Sequence, residues 1–118
     1  MVTEYLSGGN LVEFIRNNTK NIGDFILPIL SDILAALTEL KKRKIMHRDL
    51  KPENIVLRQE DNKWVLVDFG LAAFSDQQYL YDKCGTLGYM APEVEAQSNE
   101  LRPYNGACDM YSLGVVCY

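Results

Sequence analysis

The sequence predicts an α+β fold that is mostly helical and carries one short β-hairpin. Apolar residues recur at steps of three and four between residues 26 and 40, which places them on one face of a long helix. Two β-branched runs follow at residues 55–58 and 63–67, and the polar stretch between them is typical of a hairpin turn. A shorter apolar segment at residues 11–16 predicts another helix.

The long helix has signals at both ends. Asp24 is the expected N-cap, and Pro28 falls in the first turn or so, where a missing amide proton costs least. A basic cluster at residues 41–44 follows the helix directly. Because the helix dipole favours cations at the C-terminus, a solvated helix end is preferred over a docking patch. The expected buried stripe consists of Ile26, Ile29, Leu30, Ile33, Leu34, Leu37 and Leu40.

Length and composition limit the class of protein. A chain of 118 residues has room for one domain, and its net charge of -4 argues against nucleic acid as a partner. Three cysteines without CxxC spacing suggest free thiols in a reducing compartment. We see neither a signal peptide nor an apolar run long enough to span a membrane, so we expect an intracellular, cytoplasmic protein. The oligomeric state is left open.

The stretch His47-Arg48-Asp49-Leu50-Lys51-Pro52-Glu53-Asn54 carries the strongest chemical signal. Proline fixes its own φ and disfavours the α region for the residue before it, so these polar side chains are expected on a loop. A carboxylate, an ammonium group and an amide on one loop suit phosphoryl transfer with magnesium. An isolated Asp49 could also be a turn-capping residue.

Three motifs in order resemble those of the protein kinases: the octapeptide above, then Asp68-Phe69-Gly70, then Ala91-Pro92-Glu93. The resemblance implies the mostly helical large lobe of the kinase fold, truncated at both ends, with residues 1–118 forming a partial kinase domain. The implied activity is transfer of the ATP γ-phosphate to a protein hydroxyl, with ATP and Mg²⁺ as cofactors. Lys-Pro-Glu after Asp49 resembles the serine/threonine class, so the expected partner is a protein with a Ser or Thr acceptor.

The resemblance assigns roles to the polar residues of these motifs. Asp49 would be the catalytic base, and Lys51 would contact the γ-phosphate. Asn54 would hold one magnesium ion and brace the loop, while Asp68 would be the principal metal ligand. The hairpin is expected to bring Asn54 and Asp68 together. Glu53 is counted with the nucleotide-binding residues and could also select a basic residue in the substrate.

Residues 1–6 read as a short strand followed by a Gly-Gly turn, a pattern that in isolation is only a strand and a loop. By resemblance this segment is the hinge that binds adenine. Thr3 would be the gatekeeper, the backbones of Glu4 and Leu6 would bind the adenine edge, and Asn10 could reach the ribose. Val56 is the expected apolar floor under the adenine.

The remaining candidate residues are structural or regulatory. His47 is the only histidine and has no ligand-spaced partner, so a packed core histidine is favoured over a base or metal ligand. The resemblance implies that its ring lies beneath Phe69. Asp109 would accept hydrogen bonds from the backbone of residues 47–54, which the resemblance identifies as the catalytic loop. By resemblance the Thr86 hydroxyl would hydrogen-bond Asp49 and Lys51. The alternative is that Thr86 is a plain turn residue.

The segment at residues 71–85 is aperiodic and resembles the kinase activation loop. Arg48 would bind a phosphate on this loop, but Asp82 stands at the usual phosphorylated position. Asp82 could therefore pair with Arg48 and support activity without phosphorylation, or be a solvated loop aspartate. Cys84 is either a redox-sensitive or a packing thiol.

Several parts of a kinase domain are not recognisable in these residues, notably the glycine-rich phosphate loop and its partner lysine. Glu93 would pair with an arginine that the sequence does not reach. We therefore expect a fragment of an active serine/threonine kinase that binds MgATP poorly on its own. The alternative is a non-catalytic kinase-like module that binds a partner.

Overall fold

A computed structural model describes residues 4–76, 82–97 and 104–118. The expected gatekeeper Thr3 lies outside these residues. The described helices are α1 (Leu11–Asn17), α2 (Gly23–Lys42), α3 (Pro92–Glu95) and α4 (Ala107–Cys117). The described strands are β1 (Ile45–Met46), β2 (Ile55–Arg58), β3 (Lys63–Leu66) and β4 (Ala73–Phe74), and a 3₁₀ turn spans Pro52–Asn54. The predicted α+β fold, mostly helical with a short hairpin, is confirmed.

Helix α1 begins at a reciprocal cap. The Glu13 amide donates to Asn10 Oδ1 over 3.1 Å, and the Asn10 amide donates to Glu13 Oε2 over 3.3 Å. Both bonds satisfy donors that a helix N-terminus otherwise leaves unpaired. The cap fixes the direction in which the chain enters α1, and Leu11 is buried at its start.

Helix α2 buries three of the seven residues of the predicted stripe, and Leu30, Leu34 and Leu40 are partly buried. Ile29, Ile33 and Leu37 are buried, whereas Ile26 at the start of the stripe remains exposed. The predicted N-cap at Asp24 is wrong, because the helix begins at Gly23 after Ile22, which already has helical φ and ψ. A preceding turn leads the chain directly into the helix, so no extended capping residue exists. Pro28 lies inside the helix, deeper than predicted.

The hairpin of β2 and β3 has an antiparallel register in which Ile55 lies opposite Leu66. It is fastened to α2 by Asp32, whose Oδ2 accepts the Trp64 amide over 3.0 Å and whose Oδ1 contacts Lys63 Nζ over 3.2 Å. The Trp64 ring meets Phe14 edge-on with centroids 5.1 Å apart. One core therefore joins α1, α2 and the hairpin; its buried members are Leu11, Ile29, Ile33, Leu37, Leu50, Ile55, Trp64, Leu66 and Leu113.

A second, smaller core lies beside α3 and α4. It consists of Met46, Ala91, Val94, Tyr104 and Cys108. Met46 belongs to β1, which pairs with β4 through Ile45↔Phe74 and Met46↔Ala73. This core joins the segment before the catalytic loop to the segment around Ala91-Pro92-Glu93.

The structure differs from the sequence prediction in two further segments, residues 4–6 and strand β4. Residues 4–6 do not form the predicted strand. Instead, the following segment docks on β2, where the Leu57 amide donates to the Gly9 carbonyl over 3.0 Å. Strand β4 lies in the segment at residues 71–85, which was predicted to be an aperiodic loop. The sequence did not predict this strand because it forms only by tertiary pairing with β1. All three cysteines are free, and no helix within the described ranges has the length and apolarity to cross a bilayer.

Candidate active site

The catalytic loop takes its shape from a buried carboxylate on α4. Asp109 accepts the His47 amide through Oδ2 over 2.7 Å and the Arg48 amide through Oδ1 over 2.8 Å. Arg48 has a φ of 67°, a left-handed conformation that costs a non-glycine residue energy. The two charge-assisted hydrogen bonds to successive amides, those of His47 and Arg48, hold the backbone in this conformation. The expected contact between Asp109 and this loop is therefore present.

The geometry around His47 defines its tautomer. The Asp49 amide donates to His47 Nδ1 over 3.2 Å, and His47 Nε2 lies 2.9 Å from the Val67 carbonyl. A carbonyl can only accept, so the neutral ring with its proton on Nε2 satisfies both contacts. The ring is fully buried and meets Phe69 edge-on with centroids 4.9 Å apart. The fit is that of a packed core histidine.

Asp49, Lys51 and Thr86 form a closed hydrogen-bonded group. Thr86 Oγ1 donates to Asp49 Oδ1 over 2.7 Å and accepts from Lys51 Nζ over 2.9 Å. Lys51 Nζ also lies 3.7 Å from Asp49 Oδ2, and the two side chains are only 24% and 12% exposed. One hydroxyl thus bridges the carboxylate and the ammonium group. Thr86 is bonded to Asp49 Oδ1 and not to Asp49 Oδ2.

Asn54 closes the same loop from within. Its Nδ2 donates to the Asp49 carbonyl over 2.8 Å and lies 3.3 Å from Asp49 Oδ2. The residue is buried at the end of the 3₁₀ turn that begins with Pro52. Both contacts use the nitrogen of the amide, so neither of them involves Oδ1, the atom suited to a hard cation.

The hairpin carries Asp68 to the same end of the molecule. The Val67 amide donates to the Asn54 carbonyl over 2.9 Å, so the hairpin pairing continues one step beyond Leu66. Asp68 follows at once with a φ of 60°, and its Oδ1 accepts the Gly70 amide over 3.2 Å. A Cβ on Gly70 would lie 3.1 Å from that oxygen, so glycine leaves room for this turn. The backbones that carry Asn54 and Asp68 are brought together, as the sequence predicted.

These oxygen donors fit magnesium bound together with a nucleotide. Mg²⁺ in phosphoryl-transfer sites is held by one or two carboxylates plus substrate phosphates and keeps several waters. Asp68 offers an exposed carboxylate, and Asn54 offers an oriented amide oxygen. In the part of the chain that the structure describes, no group of three or more His, Cys, Asp or Glu side chains could hold a metal by themselves.

The residues predicted to form the hinge lie along β2. Asn10 forms an isolated bridge with Val56, which is half-buried, and Glu4 Oε1 lies 3.5 Å from Arg58 Nη1. A Cβ on Gly8 would come within 2.2 Å of the Leu57 carbonyl oxygen, so this glycine is needed for a close approach. Leu6 is half-buried just before it. Asn10 Oδ1 caps α1, and its Nδ2 is not part of that cap.

Arg48 collects contacts from three separate segments. Its Nε donates to the Leu71 carbonyl over 2.6 Å, and its Nη1 donates to Tyr104 Oη over 3.0 Å. The expected pair with Asp82 is long, at 3.9 Å, and the Asp82 side chain is 81% exposed. Burial opposes the charge on Arg48, but the hydrogen bond with Tyr104 and the nearby acidic groups outweigh it and raise the pKa of Arg48.

Sequence reasoning did not find Tyr104. This residue is 6% exposed, and its hydroxyl donates to the Asp82 carbonyl over 2.7 Å. It stands outside any recognised motif and outside any periodic segment, so the sequence held no signal for it. Glu53 and Glu93 are exposed, and the Glu93 carbonyl accepts Gln97 Nε2 over 2.9 Å.

Burial accounts for the behaviour of the thiol next to Asp109. Desolvation, with the adjacent carboxylates of Asp109 and Glu93, raises the pKa of Cys108 to about 12. A thiol with such a pKa stays protonated at neutral pH and is a poor nucleophile. Cys84 is half-buried, with Sγ 3.9 Å from Tyr104 Oη.

The loop held by Asp109, the bridging Thr86 and the aspartate that follows the hairpin fit the protein kinase resemblance of the sequence motifs. Comparison with known proteins agrees: the family described as protein kinase domain matches residues 1–118. The chain belongs to the protein kinase domain family.

The chain is similar to several serine/threonine kinases. It is 35% identical over 120 residues to "Calcium/calmodulin-dependent protein kinase type 1" of Macrobrachium nipponense, covering 100% of this chain and 34% of that protein. It is 34% identical to "Probable serine/threonine-protein kinase 2" of Plasmodium falciparum (isolate K1 / Thailand), covering 100% of this chain and 23% of that protein. It is also 35% identical to "Calcium/calmodulin-dependent protein kinase type 1" of Caenorhabditis elegans, covering 100% of this chain and 33% of that protein. The chain thus spans about a third or less of these relatives.

Proposed function

We propose that the full-length protein containing this chain transfers the γ-phosphoryl group of ATP to a serine or threonine hydroxyl of a protein substrate. The observation that carries the proposal is the Thr86 hydroxyl bridging Asp49 and Lys51. This bridge fixes the carboxylate beside a cation in a half-buried space, as in-line phosphoryl transfer requires. The Ser/Thr kinases among the relatives support the same reading.

In the proposed reaction, Asp49 orients the substrate hydroxyl and accepts its proton. The hydroxyl oxygen forms a bond to the γ-phosphorus while the bond from that phosphorus to the bridging oxygen of ADP breaks. Lys51 lies 3.7 Å from Asp49 and offsets negative charge on the moving phosphoryl group. Thr86 keeps Asp49 and Lys51 in fixed relation during this transfer.

ATP and Mg²⁺ are typical of the protein kinase family. We assign the metal to Asn54 and Asp68, which would supply one amide and one carboxylate oxygen. The metal would neutralise charge on the phosphates. The backbones of Glu4 and Leu6 would bind the adenine edge, with Val56 as its apolar floor. Asn10 would contact the ribose through Nδ2, and Glu53 would lie beside the nucleotide.

The partner in this proposal is a protein substrate, because protein kinases act on proteins. We propose an intracellular location, because Cys84, Cys108 and Cys117 are all free and disulfides are rare in reducing compartments. Glu93 would pair with an arginine further along the complete domain.

The test is transfer of labelled phosphate from ATP by the full-length protein to Ser/Thr and Tyr peptide libraries. We expect labelling of Ser/Thr peptides only. Asp49→Asn should lower kcat by about 10²–10⁴-fold, the usual contribution of a positioned base. Asp24→Asn, on the exposed start of α2, is the matched control and should leave kcat unchanged. Absence of transfer by the wild type would instead favour a partner-binding module.

A further inference from the structure

Tyr104 joins two segments that are distant in sequence. Its hydroxyl accepts from Arg48 Nη1 over 3.0 Å and donates to the Asp82 carbonyl over 2.7 Å. Arg48 belongs to the catalytic loop, and Asp82 belongs to the segment that leads to Thr86. Only 6% of Tyr104 is exposed, so these contacts are shielded from water.

The direction of the two hydrogen bonds is fixed by chemistry. A guanidinium group has only donors, and a carbonyl has only lone pairs, so the single Tyr104 proton must point to Asp82. Burial raises the pKa of Tyr104 to about 12, against the opposing effect of Arg48. The hydroxyl therefore keeps its proton at neutral pH.

The segment from Asp82 to Thr86 is held at both ends. At one end the Asp82 backbone is bonded to Tyr104, and at the other Thr86 is bonded to Asp49 and Lys51. Between them, Gly85 has a φ of 123°, and a Cβ there would lie 2.9 Å from the Arg48 carbonyl. The segment thus runs closely along the catalytic loop, and a shift at its first end would displace Thr86.

The Asp82 side chain contributes less to this attachment than the Asp82 backbone does. Its carboxylate is 81% exposed and 3.9 Å from Arg48. Exposed ion pairs are screened by solvent and contribute little. The backbone carbonyl, in contrast, makes a short bond to a buried hydroxyl. The attachment therefore does not depend on a charge at position 82.

We propose that Tyr104 is a positioning residue that anchors the segment from Asp82 to Thr86 to the catalytic loop. The anchor acts through the Asp82 backbone and is independent of charge or phosphorylation at position 82. This inference rests on the proposed kinase function, because its kinetic consequence is the placement of Thr86 against Asp49. Tyr104 touches neither substrate nor nucleotide in this proposal.

The experiment compares Tyr104→Phe, Asp82→Ala and the control Tyr111→Phe in the full-length protein. Tyr111 is exposed on α4, so its variant should behave as wild type. Tyr104→Phe keeps the buried ring and should lower kcat about tenfold, which corresponds to about 1.4 kcal/mol. The KM for ATP should stay unchanged, because the hinge is untouched. Asp82→Ala should change kcat less than Tyr104→Phe does.

Amide hydrogen exchange provides a readout that does not need activity. Amides at residues 82–90 should exchange faster in Tyr104→Phe than in Tyr111→Phe, while amides of α2 stay the same. A merely structural role would lower the thermal midpoint and loosen all elements together. If the wild type transfers no phosphate but exchange changes as described, the proposed function fails and the anchor stands.

If Tyr104→Phe does not fold, the proposal can still be tested by a measurement on the wild-type protein. The Tyr104 hydroxyl proton should exchange slowly enough to be seen as a separate NMR signal, unlike that of exposed Tyr111. The anchor is wrong if this proton exchanges as fast as that of Tyr111. It is also wrong if Tyr104→Phe leaves both kcat and local exchange unchanged, or if Asp82→Ala has the larger effect.

Discussion

Asp109→Asn tests how the catalytic loop is held. In the native protein both carboxylate oxygens accept backbone amides, those of His47 and Arg48, over 2.7 and 2.8 Å. Asparagine has one oxygen and one NH₂ group, so one amide must face a donor instead of an acceptor. Because Asp109 is only 4% exposed, water cannot easily replace the lost partner.

The cost follows from these contacts. A hydrogen bond to a charged group contributes about 1.5–3 kcal/mol, and a buried unpaired donor costs about 1–3 kcal/mol more. We therefore expect the local free energy of opening at the His47 and Arg48 amides to fall by about 3 kcal/mol. Native-state hydrogen exchange followed by NMR measures this at the two donors themselves, and about 3 kcal/mol corresponds to roughly a hundredfold faster exchange.

Asp76→Asn is the matched control for this experiment. Asp76 pairs with Lys44 over 3.7 Å, and both side chains are more than half exposed. Surface pairs of this kind contribute about 0–1 kcal/mol, so exchange in the catalytic loop should hardly change. If Asp109→Asn accelerates exchange at the two amides no more than Asp76→Asn does, the reasoning about the loop is refuted.

Three further outcomes follow from the structure. Thr86→Val removes the hydroxyl that bridges Asp49 and Lys51, so kcat should fall about tenfold for the loss of about 1 kcal/mol or slightly more. Thr86→Ser should retain most activity, and equal rates for both variants would contradict the bridge. Asp82→Ala should reduce kcat only slightly, since an exposed pair contributes about 0–1 kcal/mol; a loss of all activity would restore the charge as the main anchor. Gly8→Ala places a Cβ within 2.2 Å of the Leu57 carbonyl, so urea unfolding should show a loss of about 1–3 kcal/mol and the KM for ATP should rise. Gly23→Ala, with open space around it, is the control that should do neither.

Local patterns in the sequence predicted the parts of the fold that local physics determines. The stripe on α2 has a period of 3.6, and the β2–β3 hairpin consists of two β-branched runs around a polar turn, so both elements could be predicted from the sequence. The start of α2 was not, because the preceding turn is already helical and removes the need for a capping side chain. The cap of α1 was readable but missed: Asn10 followed three residues later by Glu13 is a capping-box spacing.

The candidate site was predictable where a motif names the residue and not where tertiary contact defines it. Asp49, Asn54 and Asp68 are predicted from their motifs, and the structure adds the hydrogen bonds that orient the first two. Strand β4 and Tyr104 depend on partners far along the chain, β1 for the strand and Arg48 for the tyrosine. A strand as short as β4 shows no periodicity, and Tyr104 belongs to no sequence pattern. Neither could therefore be predicted from the sequence.

The central claim is that Asp68 and Asn54 hold a magnesium ion bound to ATP beside Asp49. Calorimetric titration of the full-length protein with ATP, with and without Mg²⁺, tests this most directly. We predict that Mg²⁺ strengthens ATP binding in the wild type and in Asp49→Asn, but that Asp68→Asn loses most of this gain. If Asp68→Asn binds MgATP as tightly as the wild type does, the metal assignment is contradicted and the proposed transfer mechanism with it.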